Sequence, residues 1–161
     1  MFIGEAPGQL EDALGLPFVG SAGRVLETTL ELCHMNFHYC ITNTVCCRPC
    51  TIYYLDDSLE NKDLSELVPG EDYTIEDYNR EPTRKEIEAC KPHIEELIES
   101  YGPDGVIYLG KVAKTLDLPL PSLELLHPAA ILRQEYKLVT VKKEARKIDK
   151  FVKVLFTRKN K

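Results

Sequence analysis

Short apolar runs alternate with amphipathic helical stretches along this chain, and this alternation limits its fold more than any other feature. Strands that alternate with helices are typical of a parallel sheet covered by helices on both faces. The pattern therefore predicts an α/β fold, a three-layer α/β/α sandwich around a central, mostly parallel sheet of four strands. Strands are predicted at 2–3, 39–45, 105–109 and 123–126, and helices at 22–33, 83–101, 111–116 and about 141–156.

Length and composition indicate one ordinary globular domain. A chain of 161 residues can bury a core in a single domain over 1–161. It has no apolar run close to the ~20 residues that span a bilayer, and its start lacks the pattern of a signal peptide. We therefore expect a cytoplasmic protein with no membrane partner. In that compartment the six cysteines are expected to be thiols or metal ligands rather than disulfides.

The net charge of −6 is distributed unevenly. Residues 56–77 hold nine acids and one lysine, a charge of −8, whereas the residues from Arg133 onward hold eleven bases and three acids, a charge of +8. The acidic stretch lacks clear periodicity, and we interpret it as a solvated insertion at about 51–78. The basic C-terminal third suits contact with phosphate, although an ordinary basic surface helix would have the same composition.

Polar residues follow several of the predicted strands. The glycine-rich turn from Gly4 to Gly8 follows the first strand, Asn43 lies near the end of the second, and His127 follows the fourth. Parallel sheets bind ligands beyond the carboxyl ends of their strands, so these residues are expected at one edge. The carboxylates of the turn, the ring of Phe18 and the imidazole together predict a pocket for a flat polar ligand.

Short motifs occur along most of the chain outside the acidic stretch. They are GEAPG at 4–8 with ED at 11–12, GLPFVGSAG at 15–23, TNTV at 42–45, CRP at 47–49, NREPT at 79–83, EI at 86–87, CKP at 90–92, LGKVA at 109–113 and HPAAILR at 127–133. In sequence and in order, these motifs resemble those of the uracil-DNA glycosylase superfamily, specifically its family 4, and their number makes the resemblance specific. It implies the α/β/α fold of that superfamily.

The resemblance implies hydrolysis of the bond between uracil and deoxyribose, after the base has left the DNA stack. Glu5 resembles the carboxylate that orients the hydrolytic water or stabilises the sugar cation. His127 resembles the histidine that hydrogen-bonds the uracil oxygen as negative charge develops there. These are the expected catalytic residues. The structural alternatives are compensation of a helix dipole by Glu5 and a purely structural His127.

Four further residues are expected to bind the base. Phe18 resembles the family's stacking aromatic, and Asn43 resembles the residue that reads the N3–H and O4 of uracil. Glu11 resembles the residue that crowds the uracil 5-position and rejects the methyl group of thymine. Position 6 is Ala6, where other superfamily branches place an aspartate, so no second carboxylate assists there. A core phenylalanine and a turn asparagine are the structural alternatives.

The resemblance also implies a DNA-binding loop. Ile131, Leu132 and Arg133 resemble the minor-groove loop, in which apolar wedges fill the vacated stack and an arginine meets phosphate. A buried Ile-Leu pair is the alternative.

Family 4 proteins usually carry a 4Fe–4S cluster on four cysteines. Cys47 and Cys90 match two of the ligand positions. The other two positions precede the GEAPG turn in the family and have no counterpart in this sequence. Cys46 and Cys50 could complete the set only if their loop reorganised. The hydrolysis itself is expected to need no metal and no redox cofactor.

Three functional hypotheses remain open at this point. The first is a monomeric, uracil-specific DNA glycosylase of base excision repair, of prokaryotic or viral origin, whose partner is uracil-containing DNA. The second is a non-catalytic superfamily member that binds uracil-DNA or a replication or repair protein. The third is a regulatory iron–sulfur protein. The joint presence of Glu5, Phe18, Asn43 and His127 favours the enzyme.

Overall fold

The computed structural model describes residues 1–51, 78–135 and 137–159. The acidic insertion predicted at about 51–78 lies almost entirely outside these described residues. None of the described helices is long and apolar enough to cross a membrane. In chain order the elements are β1 (Phe2–Gly4), α1 (Gln9–Leu14), α2 (Ser21–Glu31), β2 (Ile41–Asn43), β3 (Cys50–Thr51), β4 (Tyr78–Asn79), α3 (Arg84–Tyr101), β5 (Val106–Leu109), α4 (Lys111–Lys114), β6 (Ser122–Leu125), α5 (Pro128–Leu132) and α6 (Lys137–Lys159).

Four strands form the central sheet in the order β2-β1-β5-β6. Strand β1 lies between β2 and β5, with Gly4 opposite Asn43 on one side and Phe2 opposite Ile107 on the other. All three pairings are parallel, so the four carboxyl ends share one edge. The predicted four-stranded parallel sheet is confirmed. Strands β3 and β4 pair separately as a short antiparallel ribbon.

Helices cover both faces of this sheet, as predicted. Successive side chains of a strand point to opposite faces, and here both sets are buried. Ile3, Val106 and Tyr108 pack on one side with Ile94 from α3. Phe2, Ile107 and Leu109 pack on the other side with Leu26 from α2 and Ile148 from α6. The result is the three-layer α/β/α arrangement.

Helix α3 shows why most element boundaries were predictable. Thr83 and Glu86 form the predicted capping box, in which each side chain bonds the other's backbone N–H. The helix ends at Gly102, whose φ of +51° is left-handed and favours glycine. Local sequence chemistry therefore sets both ends of this helix.

Three helical segments differ from the prediction. Helix α6 begins at Lys137 rather than near 141, because its first turn exposes Leu138 and Val139 and so carries no amphipathic pattern. Helices α1 and α5 were not predicted. Each spans fewer than two turns, and α1 buries none of its residues, so neither has a periodic apolar face to detect.

Candidate active site

The carboxyl edge of the sheet holds a cavity of about 600 Å³. Its walls come from the turn after β1, the loop before α2, the end of β2 and the start of α5. Both its position and its size are typical of ligand sites in α/β proteins. It brings together the predicted site residues Glu5, Ala6, Glu11, Phe18, Asn43, His127, Leu132 and Arg133.

Gly4 ends β1 between two of these side chains. A Cβ atom at Gly4 would lie 2.5 Å from both Asn43 Oδ1 and Phe18 Cζ. Only glycine therefore allows the amide and the ring to approach the backbone this closely. Thr44 fixes the turn, because its backbone N–H and its hydroxyl both donate to the Gly4 carbonyl, at 2.8 and 2.7 Å.

Asn43 carries the most informative atom of the cavity. The residue is 7% exposed, and its buried Oδ1 accepts no hydrogen bond from the described part of the chain. Leaving a buried acceptor unpaired costs about 1–3 kcal/mol, and native proteins rarely do so without a functional reason. An unpaired amide oxygen of this kind has the capacity to accept an N–H group from a ligand.

Phe18 forms a wall of the cavity at a cost in backbone strain. Its φ of +56° is left-handed, which costs a bulky residue about 1–3 kcal/mol. Gly23 permits this conformation, since a Cβ there would lie 1.6 Å from the Phe18 carbonyl oxygen. The Phe18 ring is tilted by 39° to the imidazole of His127, with the ring centroids 6.3 Å apart. The cavity is thus lined by an aromatic ring beside an imidazole.

Glu11 braces the loop that carries Phe18. Its Oε1 accepts the backbone N–H of Gly20 at 2.7 Å. Its other oxygen lies against Gly8, where an added Cβ would come within 2.7 Å of Oε2. The carboxylate therefore joins the turn after β1 to the loop before α2. The sequence pattern did not predict this contact, and the role of Glu11 in rejecting thymine stays a prediction.

His127 caps α5 with its side chain. Its Nδ1 accepts the backbone N–H of Ala129 at 3.2 Å, so in the neutral ring the proton lies on Nε2. Burial, and secondarily the positive charge of Arg133, lower the pKa of His127. Both effects favour a neutral imidazole that donates a hydrogen bond through Nε2.

Glu5 is half-buried in the wall of the same cavity. Burial, and secondarily the nearby carboxylate of Glu81, raise the pKa of Glu5. A carboxylate with a raised pKa is a stronger base than a free one, which suits it to accept a proton from a water molecule.

The structure separates the three residues predicted for DNA contact. Leu132 and Arg133 line the cavity, and Arg133 is exposed. Ile131 is only 2% exposed, because it lies on the inner side of α5. The expectation that all three face DNA is therefore corrected: the alternative of a buried side chain holds for Ile131.

Arg80 lines the cavity although no role was predicted for it. Its Nη1 and Nη2 donate to the two carboxylate oxygens of Glu86, at 2.9 and 2.7 Å, and its Nε donates to the Cys50 carbonyl. Arg80 thus ties the β3–β4 ribbon to the first turn of α3. In the sequence, the available signal was Glu86. Its predicted role in the capping box already accounted for this carboxylate, so its second contact, with Arg80, was not predicted.

The cysteines predicted as cluster ligands do not form a metal site among the described residues. Cys46 lies beside Cys90, since its backbone N–H donates to Cys90 Sγ at 3.4 Å. Cys46, Cys47 and Cys50 are all exposed, and Cys90 is partly buried. Within the described ranges, no three His, Cys, Asp or Glu side chains are grouped closely enough to hold a metal ion. A 4Fe–4S cluster normally has four thiolate ligands, so these residues alone do not fit it.

Comparison with known proteins decides the family. Residues 1–155 match the family model described as the uracil DNA glycosylase superfamily. The chain belongs to the uracil-DNA glycosylase superfamily. The match spans all of the cavity-lining residues named above.

Several curated relatives are named type-4 uracil-DNA glycosylase, in agreement with the predicted family 4. The Saccharolobus solfataricus protein is 37% identical over 113 residues, which are 69% of this chain and 40% of that protein. The Pyrobaculum aerophilum protein is 35% identical over 114 residues, 70% of this chain and 44% of the relative. The Archaeoglobus fulgidus protein is 30% identical over 149 residues, 92% of this chain and 60% of the relative. The matches thus cover between 40 and 60% of these glycosylases.

Proposed function

We propose that this chain is a uracil-DNA glycosylase, which hydrolyses the N-glycosidic bond of deoxyuridine flipped out of DNA and so starts base excision repair. One observation carries the proposal: Asn43, whose Oδ1 is buried and accepts no hydrogen bond from the described part of the chain, lines a cavity that also presents the Phe18 ring and a neutral His127. These three groups suit a pyrimidine base. The amide contacts the edge of the base, the aromatic ring stacks on its face, and the imidazole stabilises the negative charge that develops on it.

In this proposal Asn43 reads the edge of the base. Its Oδ1 accepts the N3–H of uracil and its Nδ2 donates to O4, whereas cytosine presents an acceptor and a donor in the reverse order. Phe18 stacks on the face of the ring. Glu11, held by Gly20, fills the space beside ring carbon 5, where thymine carries a methyl group. Steric rejection is needed there, because a missing methyl contact alone discriminates by only ~1–3 kcal/mol.

The same geometry supports the bond-breaking step. When the bond between C1′ and N1 breaks, its electron pair passes to uracil and the sugar becomes oxocarbenium-like. His127 Nε2–H donates to the uracil oxygen on which negative charge develops. Glu5 orients a water molecule, whose oxygen bonds to C1′ while its proton passes to the carboxylate and then to solvent. The uracil anion takes up a proton from solvent, and the products are uracil and an abasic sugar.

The DNA-facing side is proposed to include Leu132 and Arg133. Both follow His127 within or directly after the short helix α5, so a base in the cavity brings the flanking DNA close to them. A leucine can fill the gap that the flipped-out base leaves in the base stack, and an arginine can bind a phosphate group. The basic helix α6 continues from this end of the molecule.

A single-turnover assay tests the proposed activity. Labelled DNA with one uracil is expected to break at that position after alkaline treatment, and DNA with thymine there is expected to stay intact. Glu5→Gln should slow uracil release by about 100-fold, because general-base assistance is lost. Wild-type protein that binds uracil-DNA without releasing uracil would contradict the proposal and favour the non-catalytic alternative.

The pH dependence of the rate is expected to report the pKa of Glu5. Burial and the charge of Glu81 raise this pKa, and the reaction needs the carboxylate, so the rate should fall as the pH drops through the raised value. Glu81→Gln removes one cause of the shift and should move this acid limb to lower pH. Glu88→Gln, at an exposed position of α3, is the matched control. An acid limb that Glu81→Gln leaves in place would contradict this assignment.

The cofactor is a separate question from the chemistry. Hydrolysis of a glycosidic bond changes no oxidation state, so an iron–sulfur cluster would stabilise the protein rather than react. For this chain the cluster stays a prediction, which iron and sulfide analysis of protein purified without oxygen would test. The cytoplasmic location and the monomeric state also stay predictions.

A further inference from the structure

Glu144 is a buried acid that the proposed chemistry does not use. It lies on the face of α6 that packs against the sheet, and only 1% of its surface is exposed. Its neighbours along that face, Val141 and Ile148, are buried apolar residues. Burying a carboxylate is costly unless its oxygens find partners, so those partners indicate what the residue does.

One oxygen of Glu144 holds the backbone directly before His127. The N–H of Leu126 donates to Glu144 Oε2 at 3.1 Å. The carbonyl of the same peptide group, which belongs to Leu125, accepts the N–H of Gly110 at 2.9 Å. The Leu125–Leu126 peptide group, one residue before His127, is therefore bonded at both ends, and its orientation is fixed between the end of β5 and α6.

The other oxygen of Glu144 has a different kind of partner. The Lys147 ammonium lies 2.8 Å from Oε1, close enough for an ion pair but not aligned as a hydrogen bond. The ion pair compensates the buried charge, whereas the directed bond to Leu126 is made by Oε2. The charge of Glu144 and the reach of its side chain can thus be tested separately.

The ring of His127 depends on where this backbone places it. A Cβ at Gly110 would lie 3.0 Å from the Cβ of His127, so the side chain is packed closely against the end of β5. On its other side, Nδ1 is held by the Ala129 N–H. With the ring confined in this way, a shift of the preceding peptide moves Nε2 relative to the cavity.

We propose that Glu144 is a positioning residue for His127, which it orients by holding the N–H of Leu126. The inference rests on the proposed function and deepens it. Glu144 lies 18 residues from Leu126 in the sequence. It lies on α6, a helix that covers one face of the sheet. A misplacement of a catalytic group by about 1 Å can cost about 100-fold in rate, so a bond of this kind is expected to affect catalysis.

Two substitutions separate the effect of the length of the Glu144 side chain from the effect of its charge. Glu144→Asp keeps the charge but withdraws the acceptor from Leu126, and it should lower single-turnover uracil release by about 100-fold with little change in the Kd for uracil-DNA. Glu144→Gln keeps the length and an acceptor oxygen, and it should release uracil at nearly the wild-type rate. Ile148→Ala is the matched stability control, since it opens a cavity in the next turn of α6. It should destabilise the fold without a comparable loss of rate.

Nitrogen NMR of His127 supplies a readout that does not depend on activity. We expect Glu144→Asp to shift the Nδ1 and Nε2 signals and to speed exchange of the Leu126 amide, and Glu144→Gln to leave both near their wild-type values. If the Glu144→Asp variant does not fold, Glu144→Met is used in its place.

The opposite pattern would overturn the inference: an active aspartate variant, a slow glutamine variant, unchanged His127 signals, or an equal rate loss in Ile148→Ala. If wild-type protein releases no uracil, the proposed function fails. The His127 signals would still decide whether Glu144 positions the ring.

Discussion

Replacing Asn43 with aspartate is expected to lower uracil release by about 10⁴-fold and to let the enzyme release cytosine. A site built to hydrogen-bond one pattern of donors and acceptors rejects a mismatched pattern by about this factor. The aspartate loses the Nδ2 donor that would meet uracil O4. Its oxygens accept from the amino group of cytosine, and its protonated form donates to cytosine N3. Oδ1 of Asn43 is buried and unpaired, and the substitution changes the group beside it, from an amide donor to a second carboxyl oxygen.

The measurement is single-turnover release of the base from matched DNA strands that carry uracil or cytosine at one position. Asn36→Asp introduces the same charge at an exposed position outside this cavity and should leave uracil release unchanged. Cytosine release no greater than that of wild-type protein would contradict the assignment of Asn43 to the base edge, provided that the variant is folded.

Replacing His127 with alanine is expected to lower the rate of uracil release by about 100–1,000-fold, the usual loss when a donor to a developing oxyanion is removed. The Kd for uracil-DNA should change little, because the hydrogen bond strengthens only as charge reaches the uracil oxygen. The lowered pKa of His127 keeps the ring neutral near pH 7, so protonation of this residue should not limit the rate there.

A comparison of single-turnover rate with DNA affinity tests this role. His38→Ala, which removes an exposed histidine outside this cavity, is the matched control and should retain the wild-type rate. A large loss of affinity in His127→Ala at an intact single-turnover rate would show that His127 binds DNA rather than stabilises charge. Circular dichroism of both variants checks that the fold as a whole is retained.

Much of the fold could be predicted because its signals are local. Alternating apolar and helical stretches, the capping box of Thr83 and Glu86, and the glycine after α3 all lie within a few residues of the elements they define. The first turn of α6 was missed because it lacks such a local signal. Leu138 and Val139 are exposed there, and the turn is helical because it continues a longer helix rather than because it buries a face.

The candidate site was predictable in its chemistry but only partly in its geometry. Glu5, Asn43 and His127 follow β1, end β2 and follow β6, and parallel strands bring such positions to one edge. Glu144 was missed because a charged residue on a basic helix resembles a solvated one. Its position between Val141 and Ile148, on the apolar face, was the available signal.

By itself the sequence determined the four strands of the central sheet, the longer helices, the family motifs and the kinds of side chain at the site, because these properties depend on residues close together in the chain. Tertiary structure alone decided that Ile131 is buried while Leu132 lines the cavity, and that Cys46 lies beside Cys90. It also decided that Glu144 reaches the backbone N–H of Leu126, directly before His127. These outcomes depend on contacts between segments distant in sequence, and no local pattern records which partner a side chain meets when the layers pack.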